Sequence, residues 1–194
     1  MIHPVAVDLT KLTTTKRTSI ITILTAACVA SNYALVGVLN VKVMDVIVFI
    51  TGLVFGPIMG MTVGFLSWII YGIINPYGFS LPILLATAGM ETAYGLVGGL
   101  IGRNNEGISE ESSILSGFKY AIIGFMLTFA YDLVTNLVMA ATFGIEWSIA
   151  LISGIPWAIA HELSNSVLFF IGVIPSVKGI YRVIPEMKVN VKQE

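Results

Sequence analysis

The fold of this chain depends on one apolar stretch, Val43–Ile74, which reads VMDVIVFITGLVFGPIMGMTVGFLSWIIYGII. Asp45 is its single acidic residue, and no lysine or arginine interrupts it. Gly56-Pro57 divides the stretch, because proline removes a helical hydrogen bond and disfavours helix in the residue before it. The stretch is therefore either one kinked helix or two short helices joined by a turn.

The composition is that of a membrane protein. Hydrophobic residues make up 56% of the 194 residues, charged residues make up 11%, and the mean hydropathy is +0.92. Soluble domains are about 25% charged. A chain of this length has room for about six spanning helices of roughly 20 residues each. Apolar runs flank the opening stretch on both sides: Ser19–Val38, Leu81–Ile101, Phe118–Phe143 and Trp147–Pro175.

The positive charges decide between five and six spans. With six spans, nine of the ten lysine and arginine residues fall on one side of the membrane and only Lys42 on the other. With five spans, the positive residues outside with Lys42 would be Arg103, Lys119 and the C-terminal Lys178, Arg182, Lys188 and Lys192. Positive residues collect in cytoplasmic loops, so we predict an all-α bundle of six transmembrane helices with both termini inside. The predicted single domain covers residues 1–194, with cytoplasmic tails 1–17 and 176–194 and an inner loop 102–117.

The N-terminal segment has a second interpretation. Lys11, Lys16 and Arg17 precede an apolar run, as in a signal peptide, and cleavage after Ala30 is the alternative. A retained first helix fits the cytoplasmic start that the later spans require.

Small residues recur at helical spacing in three predicted spans. They are Ala26, Ala30 and Ala34 in the first; Gly56, Gly60 and Gly64 in the third; and Gly95 with Gly99, beside Gly98 with Gly102, in the fourth. Small residues let helices approach closely. Each strip is therefore either internal packing or a docking face for another protein.

Ionisable side chains at membrane depth are the best candidates for a site, because they are costly in hydrocarbon unless they face an interior or a cavity. They are Asp45, Glu91, Asp132, His161 and Glu162. Asp45 lies near the predicted outer end of its helix, so we predict an interfacial ion pair with Lys42. The other four lie deeper.

Polar and aromatic residues form stripes on four predicted helices. The stripes are Trp68, Tyr71 and Asn75; Thr87, Glu91 and Tyr94; Tyr131, Asp132, Thr135 and Asn136; and Trp157, His161 and Asn165. Aromatic area with a few placed polar groups suits a flat, partly polar organic molecule. A neutral or cationic heteroaromatic solute is favoured, because the spans contain no cation to compensate an anion; Lys42 is the one residue able to do so. The alternative is that these groups only bond to one another between helices.

Enzymatic motifs are incomplete. His161-Glu162-Leu163-Ser164-Asn165 begins like the zinc-protease helix, but the position of the second histidine holds Asn165. His3 is the only other histidine and Cys28 the only cysteine. We therefore expect no catalytic residues, no metal and no cofactor.

The chain resembles the substrate-binding S components of energy-coupling factor (ECF) transporters. The resemblance rests on six spans, the Ala26-x-x-x-Ala30 motif, the Phe55-Gly56-Pro57 break, and the stretches Tyr131–Asn136 and His161–Asn165. It implies a subunit of the cell membrane that captures a vitamin or related micronutrient at the outer face. A transmembrane coupling (T) subunit and two cytoplasmic ATPases would be its partners.

The resemblance also implies roles for particular residues. Ala26 and Ala30, with Ala34 as an extension, would dock on the coupling subunit. The solute would lie near the outer loops, on Asn75, Tyr77, Glu91, Asn136, Trp157 and His161.

Two other functions remain open from the residues alone. Glu91, Asp132 and His161 would form a proton path in a stand-alone secondary transporter or channel. In a membrane assembly protein, the same groups would only hold helices together.

Overall fold

The computed structural model describes residues 12–103 and 114–183. These ranges contain six helices and no strand, as predicted. The helices are α1 Thr14–Ala34, α2 Met44–Phe55, α3 Pro57–Ile74, α4 Leu81–Arg103, α5 Ile114–Phe143 and α6 Trp147–Val183.

The opening stretch forms two antiparallel helices. Gly56 separates α2 from α3 at φ 86° and ψ 163°, a backbone conformation that only glycine adopts without strain. A Cβ added to Gly60 would lie 2.6 Å from the Cα of Gly52, and one added to Gly64 would lie 3.0 Å from the Val48 side chain. Residues at equal distances on either side of the turn thus meet, and Gly56-Pro57 is the turn of a helical hairpin.

By length and composition alone, four of the six described helices are apolar and long enough to cross a membrane: α3, α4, α5 and α6. Helix α2 has 12 residues, a length of about 18 Å against a hydrocarbon thickness of about 30 Å. It is therefore too short to cross a membrane by itself.

Helix α2 also begins at depth. We call the end of the bundle that carries the α1–α2, α3–α4 and α5–α6 connections the outer end, following the charge-based prediction. Asp45, in the first turn of α2, lies beside Glu91 of α4. Glu91 is ten residues along α4 from Leu81, so α2 begins about 15 Å below the outer end of α4.

Glycines hold α2, α3 and α4 together. Gly52, Gly60 and Gly95 meet backbone to backbone, so an added Cβ at any of them would collide with main-chain atoms. Gly98 meets the Phe49 carbonyl in the same way, and Gly99 meets Pro57. The glycine strips of the third and fourth spans are therefore internal packing.

Helices α5 and α6 pack through side chains. The buried residues of α6 recur every four positions: His161, Asn165, Phe169, Val173 and Val177. Phe169 packs on Gly124 of α5, and Phe170 packs on Gly117. Helix α6 continues to Val183 and α1 begins at Thr14, so parts of the predicted tails are helical. Tail residues 1–11 and 184–194 and positions 104–113 of the predicted inner loop lie outside the described residues.

Candidate functional site

Two adjoining cavities open at the outer end of the bundle. Each has a volume of about 420 Å³, and they share Asn40, Lys42, Tyr71 and Tyr77 in their linings. Pockets for small organic molecules usually measure about 300–1,000 Å³. Together the cavities are large enough for a vitamin-sized solute.

The two cavities differ in their remaining walls. The first lies along the α1–α2 connection and reaches Trp157 of α6. The second lies between α3 and α4 and reaches Trp68, Asn75 and Thr87. Aromatic rings thus line both cavities, with amide and hydroxyl groups between them.

Hydrogen bonds tie the outer connections to the helices around the cavities. The Tyr33 hydroxyl donates to the Ile74 carbonyl at 2.7 Å, and the Tyr77 hydroxyl donates to the Val36 carbonyl at 2.9 Å. The Asn40 amide donates to the Trp157 carbonyl at 3.0 Å. The first bond joins the end of α1 to α3, and the other two fix the α1–α2 connection against the α3–α4 turn and α6.

Asn75 builds the α3–α4 turn. Its amide nitrogen donates to the carbonyls of Gly72 at 2.8 Å and Gly78 at 3.3 Å. Its oxygen accepts from the Tyr77 backbone N–H at 2.9 Å. Both amide hydrogens are therefore used within the turn, and the side-chain oxygen keeps one lone pair.

Lys42 projects from the start of α2 into the space between the cavities. Its ammonium lies 4.8 Å from the ring centroid of Tyr131 and 5.2 Å from that of Trp68, within the range of cation–π attraction. The predicted interfacial ion pair between Lys42 and Asp45 is wrong. Asp45 is fully buried and its carboxylate bonds to His161 and Asn165 instead.

A buried ionic network lies beneath the cavities. The Nε2 atom of His161 lies 2.8 Å from Asp45 Oδ2, and its Nδ1 atom lies 3.0 Å from Asp132 Oδ1. Ionised carboxylates only accept hydrogen bonds, so a ring with N–H on both nitrogens satisfies both partners. One histidine thus joins α2, α5 and α6.

Hydrogen bonds extend this network toward α4. The Asn165 amide donates to Asp45 Oδ2 and to the Thr128 hydroxyl, at 2.7 Å each. The Tyr94 hydroxyl lies 2.9 Å from the Thr128 hydroxyl. We call these residues, Asp45, Tyr94, Thr128, Asp132, His161 and Asn165, the polar junction.

Glu91 connects the region of the polar junction to the cavity wall. Its Oε2 atom accepts from the indole N–H of Trp68 at 3.1 Å, and Trp68 lines the second cavity. Glu91 Oε1, Asp45 Oδ1 and the Tyr131 hydroxyl are buried without a hydrogen-bond partner in the described structure. Glu91 thus lies between the wall of the second cavity and Asp45.

The predicted solute-binding residues fall into three groups. Tyr77, Asn75 and Trp157 line the cavities. Glu91 and His161 lie beneath them, fully buried. Asn136 lies apart, in a separate groove of about 270 Å³ between α5 and α6, where its amide bonds to the Asp132 carbonyl of its own helix at 2.8 Å. Contact with solute stays a prediction for all six.

Several cavity-lining residues were not among those predicted to bind solute: Asn40, Lys42, Trp68 and Tyr71. Lys42 has a signal in the sequence, because it is the one positive residue on the predicted outer side. Trp68 and Tyr71 belong to the polar-aromatic stripe of α3. Asn40 follows the first span without a pattern that marks it.

A helical membrane bundle with an aromatic-walled cavity at one end has the form of a membrane-embedded solute-binding protein. Comparison with protein families identifies which one: residues 12–182 match the model of the ECF-type riboflavin transporter S component, and the chain belongs to this family. It is the substrate-binding subunit of an ECF importer for a vitamin and a protein of the cell membrane. No curated protein and no solved structure matches the chain.

Proposed function

We propose that the solute is riboflavin or a closely similar flat heteroaromatic vitamin, bound in the joined outer cavities. The name of the matched family refers to riboflavin. The observation that carries the proposal is the pair of adjoining cavities walled by Trp68, Tyr71, Tyr77 and Trp157. Ring faces supply stacking area for a flat solute, and the polar groups between them fix its orientation.

Two of these rings have free surface for a solute. Tyr77 is 75% exposed and Trp157 is 56% exposed in the described structure. Burying apolar ring surface contributes roughly 25 cal/mol per Å². Solute binding that covers both rings would therefore gain affinity from surface that the folded chain leaves open.

Delivery of the solute needs partners, because this chain contains no nucleotide-binding motif. We infer that it passes the solute to a transmembrane coupling subunit driven by two cytoplasmic ATPases and catalyses no reaction itself. Ala26, Ala30 and Ala34 are all exposed on α1, while Thr25, Cys28 and Asn32 are that helix's buried residues. The alanine strip is thus available to another protein.

The solute is tested by calorimetric titration of the purified full chain with riboflavin, followed by Trp157→Ala and Tyr77→Ala. Each substitution is expected to weaken binding about tenfold or more, since stacking on an aromatic ring is worth about 1–3 kcal/mol per base in comparable sites. Trp147→Ala is the matched control, because Trp147 is 55% exposed but lines neither cavity. Absence of riboflavin binding by the unaltered chain would reject this solute.

Docking is tested by co-purification of the tagged chain with its coupling subunit and ATPases. Ala30→Leu inserts a bulky side chain into the strip and is expected to abolish the complex while leaving riboflavin affinity unchanged. Ala141→Leu, on an exposed position of α5, is the control. An intact complex with Ala30→Leu would show that another face of the protein docks.

A further inference from the structure

Lys42 holds the one full charge among the described residues that line the two outer cavities. The acidic residues of the polar junction and Glu91 lie beneath the rings of Trp68 and Tyr131 and line neither cavity. A solute in either cavity can therefore contact the Lys42 ammonium directly. Aromatic rings separate it from the acidic residues.

The ammonium of Lys42 has unused hydrogen-bonding capacity. It carries three N–H donors, and none has a hydrogen-bond or ion-pair partner among the residues that the structure describes. Its contacts are the ring faces of Trp68 and Tyr131. Asp45 attracts it electrostatically from below without forming an ion pair with it.

The depth of Lys42 follows from the fold. It precedes α2, and α2 begins about 15 Å below the outer end of α4. A half-buried ammonium between aromatic rings is less well hydrated than one at the protein surface, and a hydrogen bond to a charged donor is stronger in such surroundings. A solute acceptor atom beside it would form a bond of this kind.

We propose that Lys42 determines solute specificity: its ammonium donates to an acceptor atom on the edge of a flat neutral or anionic solute and excludes cationic solutes. The inference rests on the proposed function, because it assumes that the solute lies in these cavities. The dione edge of a flavin ring supplies acceptors of this kind. Like-charge repulsion at a half-buried site would reject a cationic heteroaromatic compound. Of the neutral and cationic solutes that the sequence favoured, only the neutral ones then remain.

The test measures dissociation constants of the full chain for riboflavin, its monophosphate and thiamine, which are neutral, anionic and cationic respectively. The unaltered protein is expected to bind riboflavin and not thiamine. Lys42→Met should weaken riboflavin and the monophosphate by the same factor of about ten or more, since a bond to a charged donor is lost. It should also lower the ratio of the thiamine constant to the riboflavin constant. Lys42→Arg should retain most of the affinity and the discrimination.

Two further measurements separate specificity from folding. Lys119→Met, on an exposed position of α5, should change none of the three constants. The thiamine-to-riboflavin ratio reports the role of Lys42 directly, because a general loss of stability would weaken both solutes alike.

Each opposing result is distinct. Unchanged riboflavin affinity and discrimination in Lys42→Met would overturn the role of Lys42 while leaving riboflavin as the solute. Loss confined to the monophosphate would overturn the contact with the ring edge. Tighter binding of thiamine than of riboflavin by the unaltered protein, or binding of none of the three, would reject the proposed solute and the inference with it.

Discussion

Two junctions of the bundle use opposite kinds of contact. Helices α2, α3 and α4 meet through glycines whose backbones touch, as at Gly52, Gly60 and Gly95. Helix α2 meets α5 and α6 through the polar junction, in which His161 bonds two carboxylates from different helices. The first junction depends on the absence of side chains, and the second depends on a complete set of them.

This difference indicates which parts of the protein tolerate change. Close backbone approach gains dispersion energy over many atoms and has one good geometry. A buried ionic network is stable only while each charged residue keeps its partners, because removing one residue leaves the charge of another uncompensated. The glycine junction should therefore fail through added volume, and the polar junction through a lost partner.

The largest effect is expected from Gly52→Val in the glycine junction. The new side chain would collide with backbone atoms of Gly95 and Gly99 in α4. Helix backbone cannot move aside as a flexible side chain can. Overpacking usually costs about 1–3 kcal/mol, and a collision with main chain exceeds that range. We expect no folded protein, measured as the yield of monodisperse chain after purification in detergent.

Gly89→Ala is the matched control for that substitution. Gly89 lies in α4, and a Cβ there has open space within 4 Å. Its yield should equal that of the unaltered chain. Equal yields for both variants would show that the glycine junction can relax.

An intermediate effect is expected from His161→Leu in the polar junction. Asp45 and Asp132 would each lose a partner inside the bundle, and breaking a buried pair costs about 3–5 kcal/mol. The measurement is the free energy of unfolding from a denaturant titration in micelles.

Asp45→Asn tests whether His161→Leu destabilises the protein by leaving a carboxylate charge uncompensated or by losing packing. Combined with His161→Leu, it removes one of the two unpaired carboxylates, so the double variant should be less destabilised than the sum of the single changes. A double-mutant cycle gives the interaction energy. Strict additivity would mean that His161 and Asp45 do not stabilise each other.

The smallest effect is expected from Thr128→Val, which removes one hydroxyl from the polar junction. Asn165 and Tyr94 would lose a partner, while polar contacts between membrane helices average about 0.6 kcal/mol. We expect a loss of about 1 kcal/mol in the same titration. Thr62→Val is the control, because the Thr62 hydroxyl bonds only to the Ile58 carbonyl of its own helix. Equal losses of unfolding free energy in the two variants would mean that the bonds of Thr128 to other helices add no stability.

Much of the fold follows from local sequence. The predicted run Val43–Phe55 corresponds to α2 at Met44–Phe55, and Pro57–Ile74 matches α3. Glycine before proline marks the turn between them, and charge asymmetry distinguishes a turn from a kink. These signals are local or compositional, so a single sequence contains them.

The site is less predictable because it depends on which helix faces meet. Asp45 and His161 are 116 residues apart, and nothing local to either indicates the other. Asn136 shares a helix face with Asp132, and both line the groove between α5 and α6, away from the outer cavities; only the packing of the two helices shows this. Lys42 is predicted outside because the other nine positive residues fall inside, and only the position of α2 beside Glu91 shows that it lies at depth.

The shortness of α2 has a consequence for permeation. The hydrocarbon layer of a bilayer is about 30 Å thick, whereas α2, which lies below the cavities, has 12 residues and a length of about 18 Å. A solute seated above α2, as proposed, would lie inside the outer part of the dielectric barrier before any partner acts. Import would then require moving it through the inner part of the membrane alone.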